Sequence, residues 1–289
     1  MTEPKHYQSQ VQVDDTTLAD TDTFVHYYDQ HPTEEDLMGE SVAQSRLIAY
    51  LLQVLEWRYR VEGWFVVNDL NIYRSKKRYE YPLAPDVAVF KGVVVAEHNR
   101  RIFRSWRLYE PNRPPPQVVF EICSDTTWKD DLYAKPAKYA ALGVREYFLY
   151  DPNEPPYFAP ASGRLRGWQF VAGVPTALEP DPQSRLWSAE LASYLVADGA
   201  FLRLYDSEGQ QRLTQAEAER AAKEAERAAK EAERAAKETE RAAKEAERAA
   251  KETERAAKET ERAAKETERA AKEAAWAKLR ELGIEPPES

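Results

Sequence analysis

The chain has 289 residues, of which 31% are charged and one is a cysteine, and its formal net charge is −9. A single cysteine excludes an intrachain disulfide framework and a cysteine-rich zinc site, and it favours a reducing compartment. From Gln215 onward, 18 Lys and Arg stand against 20 Asp and Glu, a net charge of −2, which leaves −7 on residues 1–214. A domain this acidic binds nucleic acid only through a local basic surface.

The sequence has no apolar run of the roughly 20 residues that a membrane-spanning helix needs. Its polar start, MTEPKHYQSQ, lacks the apolar centre of a signal peptide. We therefore predict a cytoplasmic protein that does not insert into a membrane.

Residues 1–30 are predicted to form an N-terminal arm, and residues 31–206 a folded domain. Apolar residues at helical spacing predict an amphipathic helix over residues 41–59. Short β-rich runs follow, namely WFVVNDLNIYR, APDVAVF and QVVFEIC.

The segment KPAKYAAL predicts a second helix that ends at Gly143, and VREYFLYDP predicts a further strand. Later runs around Trp168 and in FLRLYD predict extra antiparallel hairpins. The order αβββαβ therefore predicts an α+β domain built on one mixed sheet.

Residues 207–289 form a tail in which ERAAKEA or ERAAKET repeats eight times, from Glu219 through Ala274. The seven-residue period predicts a helix over residues 215–282, on the order of 100 Å long. Its d positions are alanine and its a positions alanine or threonine, so association is weakly driven. The first Glu of each repeat precedes a Lys by four residues, as Glu219 precedes Lys223, and this pairing stabilises a single helix. A coiled-coil homodimer, a helical partner and an isolated rod all remain open.

Glu121 is a carboxylate inside VVFEIC, a run that otherwise predicts a buried strand. Alternation places Glu121 with Val119 and Cys123 on one face, and it places Asp86 with Ala88 in the strand APDVAVF. If these strands are neighbours, Asp86 and Glu121 converge. Two carboxylates in a half-buried cleft suit Mg²⁺, which takes a few carboxylate oxygens and keeps several waters. The sequence therefore predicts that Glu121 is a metal ligand.

Two further residues fit the same chemistry. Glu40 stands at the start of the first helix, and Lys135 stands at the entry of the second. A cation, carboxylates and a lysine are the groups that phosphodiester hydrolysis requires. Taken alone, an acid such as Glu40 is more often an ordinary first-turn residue that the helix dipole favours.

The order APDVAVF, then VVFEICSDTTWKDDLYAKPAKYAALGVREYFLYDP, resembles the Uma-two family of putative restriction endonucleases, a branch of the PD-(D/E)xK nuclease superfamily. The resemblance covers roughly residues 31–206. The positions that stand at the family's spacing are Ser124, Thr127, Asp131, Lys135, Tyr139, Gly143, Val144, Glu146 and Tyr147. It implies a restriction-endonuclease-like fold, with Asp86 and Glu121 as metal-binding acids and Glu40 as an auxiliary acid.

The sequence departs from the superfamily pattern at Cys123, where a lysine would stand two residues after Glu121. The resemblance implies that the lysine has moved to Lys135 in the following helix. Pro136 disfavours a helical conformation for the residue before it, which predicts Lys135 at the N-cap. Lys129 and Lys138 are the alternatives.

We therefore predict a Mg²⁺-dependent (or Mn²⁺-dependent) endodeoxyribonuclease. Asp86, Glu121 and the backbone carbonyl of Ile122 would hold the metal, and Lys135 would position the attacking water. Glu40 would hold a second ion or orient that water. The alternative is a catalytically inactive nuclease fold that serves as a binding or scaffold protein through its long helix.

Two basic stretches, YRSKKRY and NRRIFRSWR, flank Asp86 in the sequence. They are either ordinary solvated loops or surfaces that guide the DNA backbone toward the acids. The predicted DNA contacts are Lys76, Lys77, Arg101 and Arg104.

Overall fold

A computed structural model describes residues 11–13, 24–31, 33, 41–95, 105–157 and 163–283. The chain divides into two compact units, residues 1–219 and residues 220–289. Among the described residues, no helix combines the length and the apolar character that crossing a membrane demands.

The structure contains four α-helices and thirteen strands in the described ranges, preceded by a 3₁₀ turn at Tyr27–Asp29. The helices are α1 (Val42–Tyr59), α2 (Trp128–Tyr133), α3 (Lys135–Leu142) and α4 (Gln215–Glu281). The first strands are β1 (Val11–Val13), β2 (Phe65–Val67), β3 (Asn71–Tyr73), β4 (Val87–Phe90), β5 (Val93–Val95), β6 (Ser105–Arg107) and β7 (Val118–Ile122). The later strands are β8 (Glu146–Tyr150), β9 (Leu165–Val171), β10 (Val174–Ala177), β11 (Leu186–Ser188), β12 (Ser193–Asp198) and β13 (Phe201–Tyr205).

The central element is a six-stranded mixed sheet in the order β10-β9-β8-β7-β4-β2. Strands β7 and β8 are parallel, and the other neighbours in this sheet are antiparallel. The predicted α+β class, the mixed sheet and the order αβββαβ are thus confirmed. The extra hairpins are also present, because β9 pairs with β10 and a separate antiparallel sheet has the order β11-β12-β13.

The run WFVVNDLNIYR forms two strands in different sheets. Strand β2 joins the central sheet, whereas β3 pairs in parallel with β6. Between them Asp69 has a φ of 47°, a left-handed conformation that aspartate tolerates better than most residues. This turn redirects the chain, so that β3 leaves the central sheet.

The central sheet buries both faces. On one face, Val87, Val89, Val118 and Phe120 pack in a cluster with α1 and with leucines of β11–β13. On the other face, Ala88, Phe90, Val119 and Cys123 pack in a cluster with Tyr139 of α3 and with Trp106 of β6. The alternation read from the sequence therefore assigns these strand residues to the correct faces.

Local capping explains where α1 begins and where α3 ends. Ser41 caps α1, because its Oγ accepts a hydrogen bond of 3.1 Å from the backbone N–H of Gln44. Helix α3 ends at Gly143, whose φ is 91°, and the Val144 N–H donates to the Tyr139 carbonyl at 3.2 Å. The helix predicted over residues 41–59 and the C-terminal glycine of the second helix are both confirmed.

Helix α4 begins with a capping box. The Glu217 N–H donates to Thr214 Oγ1 at 3.2 Å, and the Thr214 N–H donates to Glu217 Oε2 at 2.8 Å. Along the repeats, Lys and Glu four residues apart form ion pairs such as Lys230–Glu226 at 2.6 Å. The predicted long helix is confirmed, whereas its association state stays a prediction.

Candidate active site

Asp86, the residue just before β4, and Glu121 of β7 lie opposite each other across a pair of antiparallel strands. In the register of β4 and β7, Val87 is opposite Phe120 and Ala88 is opposite Val119. One step further, Asp86 falls opposite Glu121. Residues directly opposite in an antiparallel pair share one face of the sheet. The two acids that the sequence singled out are therefore brought together.

Glu121 is almost fully buried, with 3% of the residue exposed. Its Oε1 lies 3.0 Å from Lys135 Nζ and accepts a hydrogen bond from the Tyr139 hydroxyl. Both partners come from α3, which packs on this face of the sheet. The carboxylate in the strand is therefore stabilised by an ammonium group and a phenol.

Lys135 also contacts Asp131, whose Oδ1 lies 2.7 Å from Nζ. Asp131 is 1% exposed, and its Oδ2 accepts a hydrogen bond of 2.8 Å from Thr127 Oγ1. The Tyr147 hydroxyl donates to the Asp131 carbonyl at 2.7 Å. Asp131 stands at the family's spacing in the sequence, yet only the fold shows that it holds Lys135.

Lys135 is the first residue of α3, and Ala134 is the N-cap. The prediction that Lys135 would be the N-cap is therefore wrong by one position. Pro136 falls in the first turn, where its missing N–H leaves no helical hydrogen bond unmade. Proline thus permits a helix that starts at the lysine.

The other two lysines are directed elsewhere. Lys138 forms an exposed ion pair of 2.9 Å with Asp130. Lys129 Nζ lies 5.5 Å from the centre of the Trp128 ring. Of the three lysines considered, the fold therefore brings Lys135 to Glu121.

Three carboxylates, Asp86, Glu121 and Asp131, share this region. Among the described residues, Lys135 is the cation in direct contact with Glu121 and Asp131. Burial raises the pKa of Asp86 well above its ordinary value, and the Glu121 charge raises it further. Burial likewise raises the pKa of Glu121 to about 7, against the opposing effect of Lys135. Three carboxyl groups thus share one ammonium group, and burial favours the protonated form of two of them, Asp86 and Glu121.

Burial disfavours the charged form of Lys135, but Glu121 and Asp131 outweigh it and raise its pKa above the ordinary value. Lys135 therefore stays protonated throughout the neutral range. Burial also raises the pKa of the Cys123 thiol, and Cys123 is 2% exposed. The residue in the superfamily's lysine position is thus a neutral buried side chain.

Oxygen atoms are available for a cation at the ends of β4 and β7. Asp86 Oδ2 accepts a hydrogen bond of 2.6 Å from the Ile122 N–H, while the hydrogen bonds to Glu121 are made to Oε1. The Ile122 carbonyl accepts a hydrogen bond of 3.2 Å from Gln44 Nε2. Asp86 Oδ1, Glu121 Oε2 and a carbonyl lone pair are the donor set that Mg²⁺ and Mn²⁺ prefer.

In the described part of the chain, no three His, Cys, Asp or Glu side chains are grouped so that they could hold a metal ion alone. Mg²⁺ does not need three, since it is commonly held by one or two carboxylates and keeps several waters. Asp86, Glu121 and the Ile122 carbonyl therefore fit a hydrated divalent cation.

Gln44 is a contact that the sequence did not predict. It lies in the first turn of α1, and its amide reaches the Ile122 carbonyl across 78 residues of sequence. The one available signal for this contact is that Gln44 is a polar residue that is only partly exposed on α1.

The remaining predicted residues are divided between two groups. Glu40, Arg101 and Arg104 lie outside the described residues. Lys76 and Lys77 are exposed in the loop that follows β3.

Residues 25–183, which are 159 of the 289 residues, match the model of the Uma2 family, described as a putative restriction endonuclease. The chain belongs to the Uma2 family. This membership confirms the resemblance seen in the sequence, and it supports a nuclease-type function for this Uma2 protein.

A crystal structure of a putative nuclease from Anabaena variabilis is also similar to this Uma2 chain. The two share 9% sequence identity with a TM-score of 0.35, over 54% of this chain and 76% of that chain. No curated protein matches the chain significantly.

Proposed function

We propose that the protein is a divalent-metal-dependent endonuclease that hydrolyses phosphodiester bonds of DNA. The observation that carries the proposal is that Asp86 lies opposite Glu121, whose one cationic contact among the described residues, Lys135, is shared with Asp131. Uncompensated charge is costly in a buried site, and a divalent cation removes that cost. Membership of the Uma2 family supports the same reading.

Asp86, Glu121 and the Ile122 carbonyl would hold Mg²⁺ or Mn²⁺. A bound divalent cation lowers the pKa of water and neutralises charge that develops on the phosphate. Gln44 donates to the Ile122 carbonyl, which keeps this oxygen directed toward the end of α1. The short hydrogen bond from the Ile122 N–H orients the Asp86 carboxylate.

Lys135 would position the attacking water or a phosphate oxygen. Its ammonium group has three N–H donors and lies at ion-pair distance from Glu121 and Asp131. One of these donors is proposed to contact the substrate. Asp131 is then a positioning residue, because it holds the ammonium group from behind while Thr127 holds Asp131.

Glu40 is proposed as the auxiliary acid, because it precedes the α1 cap by one residue in the sequence and α1 supplies Gln44 to the site. Lys76, Lys77, Arg101 and Arg104 are proposed to contact the DNA backbone. Reversing the charge of Arg101 and Arg104 should weaken DNA binding and flatten its dependence on salt. Unchanged binding would reject that assignment.

The test is cleavage of plasmid and single-stranded DNA by wild type, Asp86→Asn and Glu121→Gln proteins purified identically. Asp130→Asn is the matched control, because Asp130 lies one residue from Asp131 and its side chain is 53% exposed. We expect cleavage that requires Mg²⁺ or Mn²⁺, falls at least about 100-fold in both site variants, and persists in the control. Equal cleavage by all four proteins would contradict the proposal.

The second candidate function is a catalytically inactive scaffold that works through α4, as a homodimer or with a helical partner. It is favoured by the contacts of Glu121, whose Oε1 already has an ammonium and a phenol partner. Thermal melting with Mg²⁺ or Mn²⁺ separates the two, since a ligand of the folded state raises the melting temperature. A rise that Asp86→Asn abolishes supports the nuclease, and no rise supports the scaffold.

A further inference from the structure

The loop over residues 74–81, which we call the basic loop, combines cations with exposed aromatic rings. Its exposed cationic side chains are Arg74, Lys76, Lys77 and Arg78. Its tyrosines, Tyr79 and Tyr81, are 68% and 53% exposed. In a unit that carries excess negative charge, this loop concentrates positive charge next to aromatic surface.

The one acid of the basic loop faces the loop's own backbone. Glu80 accepts hydrogen bonds from the N–H groups of Arg74 and Ser75, at 2.8 and 2.9 Å. It also accepts one from the Ser75 hydroxyl. These bonds close the loop on itself and direct its negative charge inward. The outward surface therefore presents the cations and the tyrosines.

A second segment, residues 24–31, supports the two exposed tyrosines. Tyr27 lies 5.4 Å from Tyr79 between ring centres, and Tyr28 lies 5.1 Å from Tyr81. The Tyr27 N–H donates to the Arg78 carbonyl at 2.8 Å. Four tyrosine rings therefore form one continuous aromatic surface along the basic loop.

His26 anchors this segment to β3 and to the basic loop. Its ring is fully buried and stacks on Tyr73 of β3 with 3.6 Å between ring centres. Nδ1 lies 3.1 Å from the Lys77 carbonyl, to which it must donate, and Nε2 lies 2.9 Å from the Tyr109 hydroxyl. Because the fold holds the rings in place, a ligand would not bear the full entropy cost of ordering them.

We propose that the basic loop, with Tyr27 and Tyr28 behind it, is a binding surface for single-stranded nucleic acid. Bases would stack on Tyr79 and Tyr81, and phosphates would contact the neighbouring lysine and arginine side chains. Stacking of this kind needs bases that are not already stacked in a duplex, and it accepts any base. Acidic peptides would contact the cations but would not stack on the exposed parts of Tyr79 and Tyr81.

This inference rests on the proposed function, because it takes the bound nucleic-acid strand to be the one that reaches Asp86 and Glu121. Tyr81 is five residues from Asp86, so their Cα atoms are at most about 18 Å apart. A strand on the basic loop therefore passes close to the end of β4. The surface would select unpaired DNA, or single strands exposed by local opening, as the substrate class.

The test is binding of the full chain, in EDTA, to fluorescein-labelled dT20 and to a 20-base-pair duplex, followed by fluorescence anisotropy. The variants are Tyr79→Leu with Tyr81→Leu, which keeps apolar bulk but removes the rings, and Lys76→Gln with Lys77→Gln. Tyr133→Leu is the matched control, because Tyr133 is a 74% exposed tyrosine on α2. Circular dichroism melting confirms that each variant is folded.

We expect dT20 to bind at least about tenfold more tightly than the duplex. The tyrosine variant should lose at least about fivefold in dT20 affinity for each ring, with duplex affinity changed less than about twofold. The lysine variant should bind both dT20 and the duplex more weakly. For dT20, the slope of log affinity against log salt concentration should fall in magnitude by about 0.7 per charge removed. The control should match wild type.

The proposal is overturned if the duplex binds more tightly than dT20, or if the tyrosine variant binds dT20 as well as Tyr133→Leu does. Binding in EDTA is independent of cleavage, so the two proposals fail separately. Intact dT20 binding with no metal-dependent cleavage would remove the nuclease and leave the binding surface. Metal-dependent cleavage, together with dT20 binding that the tyrosine variant does not weaken, would remove the binding surface and leave the nuclease.

Discussion

Replacing Lys135 with methionine tests the ionic contacts of the site most directly. The change keeps the length and apolar stem of the side chain but removes the ammonium group. Glu121 and Asp131, which are 3% and 1% exposed, would then face each other without a cation. Removing one partner of a buried ion pair costs about 3–5 kcal/mol, because the remaining charge is uncompensated.

The pH dependence follows from the pKa of Glu121. Burial already raises this pKa to about 7 with Lys135 present, so loss of the ammonium raises it further. A carboxyl whose folded-state pKa lies above its unfolded value destabilises the fold increasingly as the pH rises between the two values. The cost of Lys135→Met should therefore be small near pH 5 and largest near pH 8.

The assay is urea unfolding followed by tryptophan fluorescence. Six of the seven tryptophans precede residue 215, so this signal reports the first unit rather than α4. The matched control is Lys138→Met, because Lys138 forms an exposed pair with Asp130. We expect the control to lose no more than about 1 kcal/mol. At pH 7, Lys135→Met should lower the free energy of unfolding by about 3–5 kcal/mol, which corresponds to a fall of about 6–20 °C in a thermal melt.

A double variant separates the ion pair from packing. Glu121→Gln in the Lys135→Met background removes one of the two buried carboxylates that have lost their cation, so it should recover part of the lost stability. If Lys135→Met costs no more than Lys138→Met at pH 7, the buried ionic cluster is not a stabilising unit. The assignment of Lys135 to Glu121 would then be refuted.

Three other predictions concern features outside the candidate site. Burial raises the pKa of Glu146, so Glu146→Gln should gain stability relative to wild type as the pH rises from 4 to 7. Urea unfolding measures this, and a difference in free energy of unfolding that does not change with pH would contradict it. Gly143→Ala should cost about 1–2 kcal/mol in thermal melting, because φ is 91° and the new Cβ would lie 3.2 Å from Pro115; no loss would refute the left-handed cap. Leucine at both Ala221 and Ala228 should increase self-association in sedimentation velocity, since leucine burial gains about 1.5–3 kcal/mol against about 0.8 for a methyl group. An unchanged sedimentation coefficient would argue against a heptad seam.

Local patterns in the sequence were sufficient to predict the helices and strands and to assign strand residues to one face of the sheet or the other. A strand alternates its side chains with period two, and a helix repeats with period 3.6, so both signals lie within a few residues. Glu121 could therefore be placed on a face with Cys123, and Gly143 could be placed at a helix end. Ser41 was inside the predicted helix and proved to be its cap.

Contacts between distant segments could not be read in this way. The Tyr139 hydroxyl on Glu121, the Gln44 amide on Ile122 and the packing of residues 24–31 against the basic loop each join positions far apart in sequence. Nothing in the local pattern distinguishes such pairs, because several similar side chains are available for each. Their partners are set by which elements the sheet brings together.

The sequence by itself determined that this protein has an α+β domain with two strand acids, followed by a long charged helix. Only the tertiary structure decided which lysine joins those acids. Lys129, Lys135 and Lys138 are near one another in the chain, but α3 begins at Lys135 and packs its first turn against β7. Lys135 therefore lies 3.0 Å from Glu121, whereas Lys138, almost one turn further along α3, forms an exposed ion pair with Asp130.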